Sequence, residues 1–336
     1  MFHRPRPISV APSKPPTLVV LIDVEEEFDW NEEFDRAATR FEHIDALERA
    51  VDTLATHGVT PVGVMTYPAV ESKDVARRLA GMVSDGRMIA GTHLHPWVTP
   101  PHDERVDRHN SFPGNLPVEL EDAKLERLTA RLEERLGVRP RIYQAGRYGV
   151  GPNTSSLLEA RGYSVGMSVN PPFDFTAQGG PDWSNYGPSP FWFGAERPLL
   201  ELPITGAFVG LADGAAGRRL HQFATSPALR PTRLAGMLAR LGVVERIRLS
   251  PEGQSVEDMK RLTRALFARG ERVFVFSFHS PSLSPGCTEY VRTADDLDAF
   301  LGRCSGFIDW FVDELGGETK SPIELYDALL AESPPA

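Results

Sequence analysis

The chain has little cysteine. Only Cys287 and Cys304 occur in 336 residues, which excludes a disulfide scaffold and suits a reducing compartment, with both thiols read as inert core or surface residues. No apolar run is long enough to span a bilayer. The start of the chain lacks the apolar segment of a signal peptide, so the expected location is the cytoplasm. There is no excess of basic charge. The formal net charge is -10 and the pI about 5.5, which argues against a nucleic-acid surface and against anchoring on anionic lipid. No glycine-rich phosphate loop of the P-loop or dinucleotide type is found, and no period signals a repeat protein.

What is present is core material. Hydrophobic residues make up 41 % of the chain, enough for one large α/β domain or two ordinary ones. Residues 1–16 hold five prolines and several basic residues and read as an extended, mobile tail. A β-forming run follows at 18–23. The pattern then predicts strands at 60–66, 87–92, 141–144, 163–168, 198–203, 245–249 and 272–278. Helices are expected over 42–56, 72–83, 117–136, 153–161, 231–240, 255–269 and 294–314. Two long loops, 96–117 and 170–195, are rich in proline and in histidine or aromatic residues. Strands alternating with helices, without a composition boundary, indicate one parallel α/β unit over 17–330. A barrel is favoured over an open sheet, because each polar cluster follows the carboxyl end of a strand.

Three such clusters stand out. The first closes the run Thr17-Leu18-Val19-Val20-Leu21-Ile22-Asp23-Val24-Glu25. Strand alternation points Asp23 and Glu25 the same way. Buried carboxylates at a strand end need a metal or a cation. Glu26, Glu27, Glu32 and Glu33 read instead as the solvated start of a loop. The second cluster is Thr92-His93-Leu94-His95-Pro96-Trp97. Its two histidines share a face, and two imidazoles with one carboxylate and an open position match a catalytic zinc site. The third is Val273-Phe274-Val275-Phe276-Ser277-Phe278-His279. Its phenylalanines pack under helices, and the other face, ending in His279, lines the barrel mouth. Trp97, Tyr148, Trp183, Tyr186, Phe191 and Trp192 are candidates for a sugar platform, although for any one of them loop packing is the simpler role.

These clusters, together with Tyr143-Gln144-Ala145-Gly146-Arg147-Tyr148-Gly149, Gly180-Pro181-Asp182-Trp183 and Phe278-His279-Ser280-Pro281, resemble the polysaccharide deacetylases with the NodB homology domain, in particular a WalW-like subgroup. The motifs occur in family order over roughly 17–301. The resemblance implies a single distorted (β/α)7-type barrel and metal-dependent hydrolysis of a non-peptide carbon–nitrogen bond, first of all an N-acetyl group on a sugar. It implies Asp23 as general base, Glu25, His93 and His95 as ligands of a divalent metal, zinc above others, and His279 as general acid. The family's two histidines usually stand four apart, so His102 is a substitute for His95. An arginine that pairs with the catalytic Asp is replaced by Gln144, with Arg147 three residues on as its substitute. A small acylated or cyclic amide is the alternative substrate. A catalytically impaired carbohydrate-binding barrel is the alternative class. The expected partner is a small molecule or carbohydrate. Neither the substrate nor the oligomeric state follows from the sequence.

Overall fold

The computed structural model describes residues 2, 5–28 and 32–334. Its strands in chain order are β1 (Arg6–Pro7), β2 (Thr17–Val24), β3 (Val62–Met65), β4 (Ile89–Leu94), β5 (Ile142–Ala145), β6 (Val165–Gly166), β7 (Phe191–Phe193), β8 (Leu199–Glu201), β9 (Gly206–Val209), β10 (Glu245–Arg248), β11 (Val273–His279) and β12 (Glu318–Thr319). The main sheet runs β1-β7-β8-β6-β5-β4-β3-β2-β11, with β12 beside β2. From β8 through β11 every pairing in that order is parallel. Seven parallel strands therefore make a distorted (β/α)7-type barrel. The ladder breaks between β8 and β11. There Thr205 spans the seam: its N–H donates to the Val275 carbonyl and its Oγ1 accepts from Val275 N–H at 2.8 Å, while Leu249 N–H donates to the Thr205 carbonyl.

Strand alternation sorts the core into two layers. Leu18, Val20, Ile22 and Val24 join Phe274, Phe276 and Phe278 under the surrounding helices. Val19, Leu21, Val273 and Val275 fill the barrel interior. Further along that face come Asp23 on β2 and, after Ser277, His279 on β11; Asp23 and His279 are register partners. The interior thus turns from apolar to ionisable where the strands end, the usual place for a barrel's chemistry.

Two expectations need correction here. The strand at 245–248 is not a barrel strand; it pairs antiparallel with β9 in a separate two-stranded sheet. The proline-rich start is not loose at residues 6–8. β1 pairs with β7, and Ile8 is buried. Helices at 214–224 and 322–332 were not expected.

One buried acid outside the barrel mouth tests the packing. Glu121, in helix Val118–Leu136, accepts from Thr154 Oγ1 at 2.5 Å, while its Oε2 has no hydrogen-bond partner among the described residues. Burial raises its pKa to about 7. The folded state therefore favours the protonated acid. The stability this gives is present below the unfolded value of 4.5 and is lost as pH rises through 7. Above pH ~8 the cost of the buried anion is about 3 kcal/mol. Glu121→Gln should therefore stabilise the protein at pH ~8.5 and be near neutral at pH ~5, as read by urea unfolding. Equal effects at both pH values would contradict this assignment.

Candidate active site

Asp23, Glu25, His93 and His279 line one cavity of about 790 Å³ at the carboxyl ends of the barrel strands. His93 and His95 face the same way from β4 and its end, with ring centroids 4.4 Å apart. Glu25 Oε2 lies 3.5 Å from His93 Nε2 and 3.4 Å from His95 Nε2. One donor atom from each of these three residues falls within 4.8 Å of the others. His102 is not part of this cluster; its main-chain carbonyl accepts from Arg36. The two-residue spacing of the histidines still converges, because Gly146 lets His95 approach. A Cβ at Gly146 would stand 2.8 Å from His95 Cδ2 and 2.4 Å from the Leu94 carbonyl oxygen.

The donor set fits a divalent ion. His95 Nδ1 lies 2.7 Å from Glu26 Oε1, and His93 Nδ1 lies 3.3 Å from the Gln144 main-chain carbonyl. With its Nδ1 donating to the Glu26 carboxylate, His95 turns its Nε2 lone pair toward Glu25, the arrangement of a metal-binding imidazole held by an outer partner. Glu25 Oε2 has no hydrogen-bond partner among the described residues. Burial raises the Glu25 pKa to about 7 and, with His95 nearby, lowers that of His93 to about 3. Glu25 and His93 thus resist carrying charge, whereas the carboxylates around His95 outweigh its burial and raise its pKa; a divalent ion would relieve the burial of this acid-rich cluster.

Glu26 and Glu27 are therefore not loop acids. Glu26 is 1 % exposed; burial would raise its pKa, but His95 outweighs that and lowers it. Glu27 Oε1 lies 3.0 Å from His43 Nδ1, and His43 Nε2 lies 2.8 Å from Ser280 Oγ. Ser280 Oγ in turn accepts from the Glu25 main-chain N–H. The chain of contacts resembles a nucleophile triad, yet Ser280 is wholly buried and does not line the cavity. It braces the Glu25 backbone instead. Glu32 and Glu33 are exposed, as expected.

Asp23 is 3 % exposed. Burial raises its pKa against the opposing pull of His93 and His279. Gln144 sits opposite His93 in the β4–β5 register. With its side-chain nitrogen turned inward, it donates to Asp23 Oδ1 at 2.9 Å. Arg147 does not replace the family's arginine. Its guanidinium bonds Ser111 Oγ, Gln178 Oε1 and the Arg108 carbonyl. Arg147 and Tyr148 both adopt left-handed backbone, φ 54° and 59°, and the turn lays Arg147 over the Phe112 ring, away from Asp23. Asp23 thus rests against a neutral amide.

His279 Nε2 lies 3.6 Å from Asp23 Oδ2. Its Nδ1 lies 2.8 Å from Glu252 Oε2, and its main-chain N–H donates to Glu252 Oε1. Ser282 and Arg248 also bond Glu252. Burial would lower the His279 pKa, but Glu252, Glu25 and Asp23 outweigh it and raise it to about 10. Burial would raise the Glu252 pKa, but His279, Arg248 and the Ser282 hydrogen bond outweigh it and lower it to about 2. The sequence reading missed Glu252. Its signal was a short one, a Ser-Pro-Glu-Gly turn directly after a predicted strand.

Most of the candidate platform aromatics serve packing, the simpler role. Trp97, Trp183, Phe191 and Trp192 are buried in packing, and Trp97 stacks on His95. Of that set only Tyr148 lines the cavity, joined by Phe28, Phe34, Phe175 and Tyr290.

No family model and no curated protein matches the chain. Solved structures do match in fold. A protein from Mycobacterium smegmatis described as a polysaccharide deacetylase aligns over 99 % of this chain and 96 % of its own, with TM-score 0.58 and 15 % identity. An allantoinase aligns over 96 % of each chain, with TM-score 0.56 and 14 % identity. A 4-alpha-glucanotransferase from Thermococcus litoralis aligns over 94 % of this chain and 40 % of its own, with TM-score 0.50 and 12 % identity. The barrel is shared. Three different activities among three similar barrels leave the function to the site residues.

The Glu26–His95 contact yields a prediction. Glu26→Gln should keep the fold but weaken binding of a divalent ion about 10–100-fold, the usual effect of removing a ligand's outer partner. Competition with a chelator measures it, and an unchanged affinity would show that Glu26 does not orient His95.

Proposed function

We propose that the protein is a metal-dependent hydrolase of non-peptide amide bonds, acting first of all as an N-deacetylase of an acetylated sugar or sugar derivative. The observation that carries this reading is the convergence of Glu25, His93 and His95 beside an Asp23–His279 pair. A divalent ion held by Glu25, His93 and His95, zinc being the best match to two imidazoles and a carboxylate, would polarise the acyl oxygen and acidify a water. Asp23 accepts the proton of the attacking water. Gln144 orients that carboxylate without adding charge. His279, held by Glu252 through Nδ1, directs its Nε2–H into the cavity and protonates the departing nitrogen, which otherwise leaves poorly. Among the described residues no helix is long and apolar enough to span a bilayer.

A second reading, hydrolysis of a small acylated or cyclic amide, is favoured by the cavity. About 790 Å³ is the scale of a small-molecule site. The test of both is release of amine or acid from a panel of N-acetylated sugars and small amides, with and without added divalent ion. Metal-dependent release supports the proposal. A metal-binding protein inert on the whole panel would favour the non-catalytic carbohydrate-binding alternative.

A further inference from the structure

The metal cluster and the Asp23–His279 pair occupy one part of the cavity. A different part is built from arginine. Arg147 and Arg108 both line it, with Gln178, Phe34 and Phe175 close by. Arg147 is partly buried, and its hydrogen-bond acceptors among the described residues are all neutral: the Ser111 hydroxyl, the Gln178 amide oxygen and the Arg108 carbonyl. Its guanidinium stacks 4.0 Å above Phe112 and 5.0 Å from Phe34. Arg108 lends no relief, since its own positive charge, after burial, is the other influence pushing the Arg147 pKa down to about 10. Neither arginine pairs with a carboxylate among the described residues. The other cavity arginine with a buried head, Arg248, is already bonded to Glu252.

Two like charges on one wall, one of them half-buried and sandwiched between rings, are costly unless something anionic joins them. The backbone adds to that cost. Consecutive left-handed residues at Arg147 and Tyr148 are strained for side chains of this size, and such strain gathers at ligand sites. The turn serves to hold the guanidinium at the cavity wall. A guanidinium fork is matched to an oxyanion, whether carboxylate or phosphate.

We propose that Arg147 and Arg108 form an anion subsite, and that the substrate is an acylamide bearing a carboxylate or phosphate rather than a neutral sugar chain. The inference rests on the hydrolase reading only for the amide end of the substrate. Binding tests it without turnover, so the two can fail separately.

The experiment is calorimetric binding of matched twins. N-Acetylglucosamine is compared with its 1-phosphate and with N-acetylmuramate, and N-acetylglycinamide with N-acetylglycine. Each is measured on metal-loaded and chelator-treated protein. The anionic twin should bind at least about tenfold more tightly, and the preference should shrink with added salt. Arg108→Gln, at an exposed side chain whose loss does not threaten the fold, should remove most of that preference, and Arg147→Gln should abolish it. Phosphate and carboxylate arms show which oxyanion is favoured. A preference confined to the small-amide pair would keep the subsite and remove the sugar. Equal binding of the twins, no binding of any anion at millimolar concentration, or a preference that survives both substitutions would overturn the subsite. The last of these would assign the anion to the metal cluster instead.

Discussion

Asp23→Asn should lower amide hydrolysis about 10²–10⁴-fold while leaving metal content unchanged. General-base assistance is typically of that size. Asn has nearly the same shape, can still accept from Gln144, and cannot take a proton from water. Asp23 falls with Glu25 and His279 in a second possible donor group, but an ion held by Glu25, His93 and His95 should stay, because all three of those ligands remain. The burial that raises the Asp23 pKa makes the substitution mild for the fold, since it removes a buried charge. Steady-state rates on the best panel substrate, with metal analysis of the same preparation, measure both parts. A variant that retained wild-type rates would remove Asp23 from the reaction. The neutral Gln144 bears on the same residue. Gln144→Ala should cost less than Asp23→Asn, because it loosens the base without deleting it.

His279→Ala should cost a comparable factor, about 10²–10⁴, through loss of the proton delivered to the leaving nitrogen. The penalty should depend on the leaving group. A substrate whose departing nitrogen needs no protonation, such as an activated anilide, should be cleaved with a much smaller loss. Glu252→Gln should reproduce part of the defect, since Glu252 holds His279 at 2.8 Å. The double variant should be little worse than His279→Ala alone, as expected of residues acting as one unit. Additive losses in the double variant would separate Glu252 from His279 and place its role elsewhere.

The barrel was legible because its strands alternate. Val19, Leu21 and Asp23 on one side of β2, and Val20, Ile22 and Val24 on the other, carry the inside and outside of the barrel in their order. The same alternation brought His93, His95 and His279 to the mouth. What escaped has a common physical cause: partners far apart in sequence and joined only by packing. Glu26 and Glu27 look like any acidic loop until His95 and His43 cover them. Glu252 lies 27 residues from His279 in a turn without periodicity. Arg147 was the expected partner of Asp23 only because it lies three residues after Gln144 in the resembled motif, whereas left-handed backbone at 147 and 148 turns it toward Phe112. The separate β9–β10 sheet was missed because a short strand pattern does not say whether its partner is parallel or antiparallel.

The metal centre is the claim on which the chemistry depends. Metal analysis of the purified protein after loading and dialysis, beside His93→Ala treated the same way, tests it most directly. The arrangement of Glu25, His93 and His95 predicts one divalent ion per chain in the parent and almost none in a folded variant. A folded parent that holds no ion, or a variant that keeps full occupancy, would contradict it.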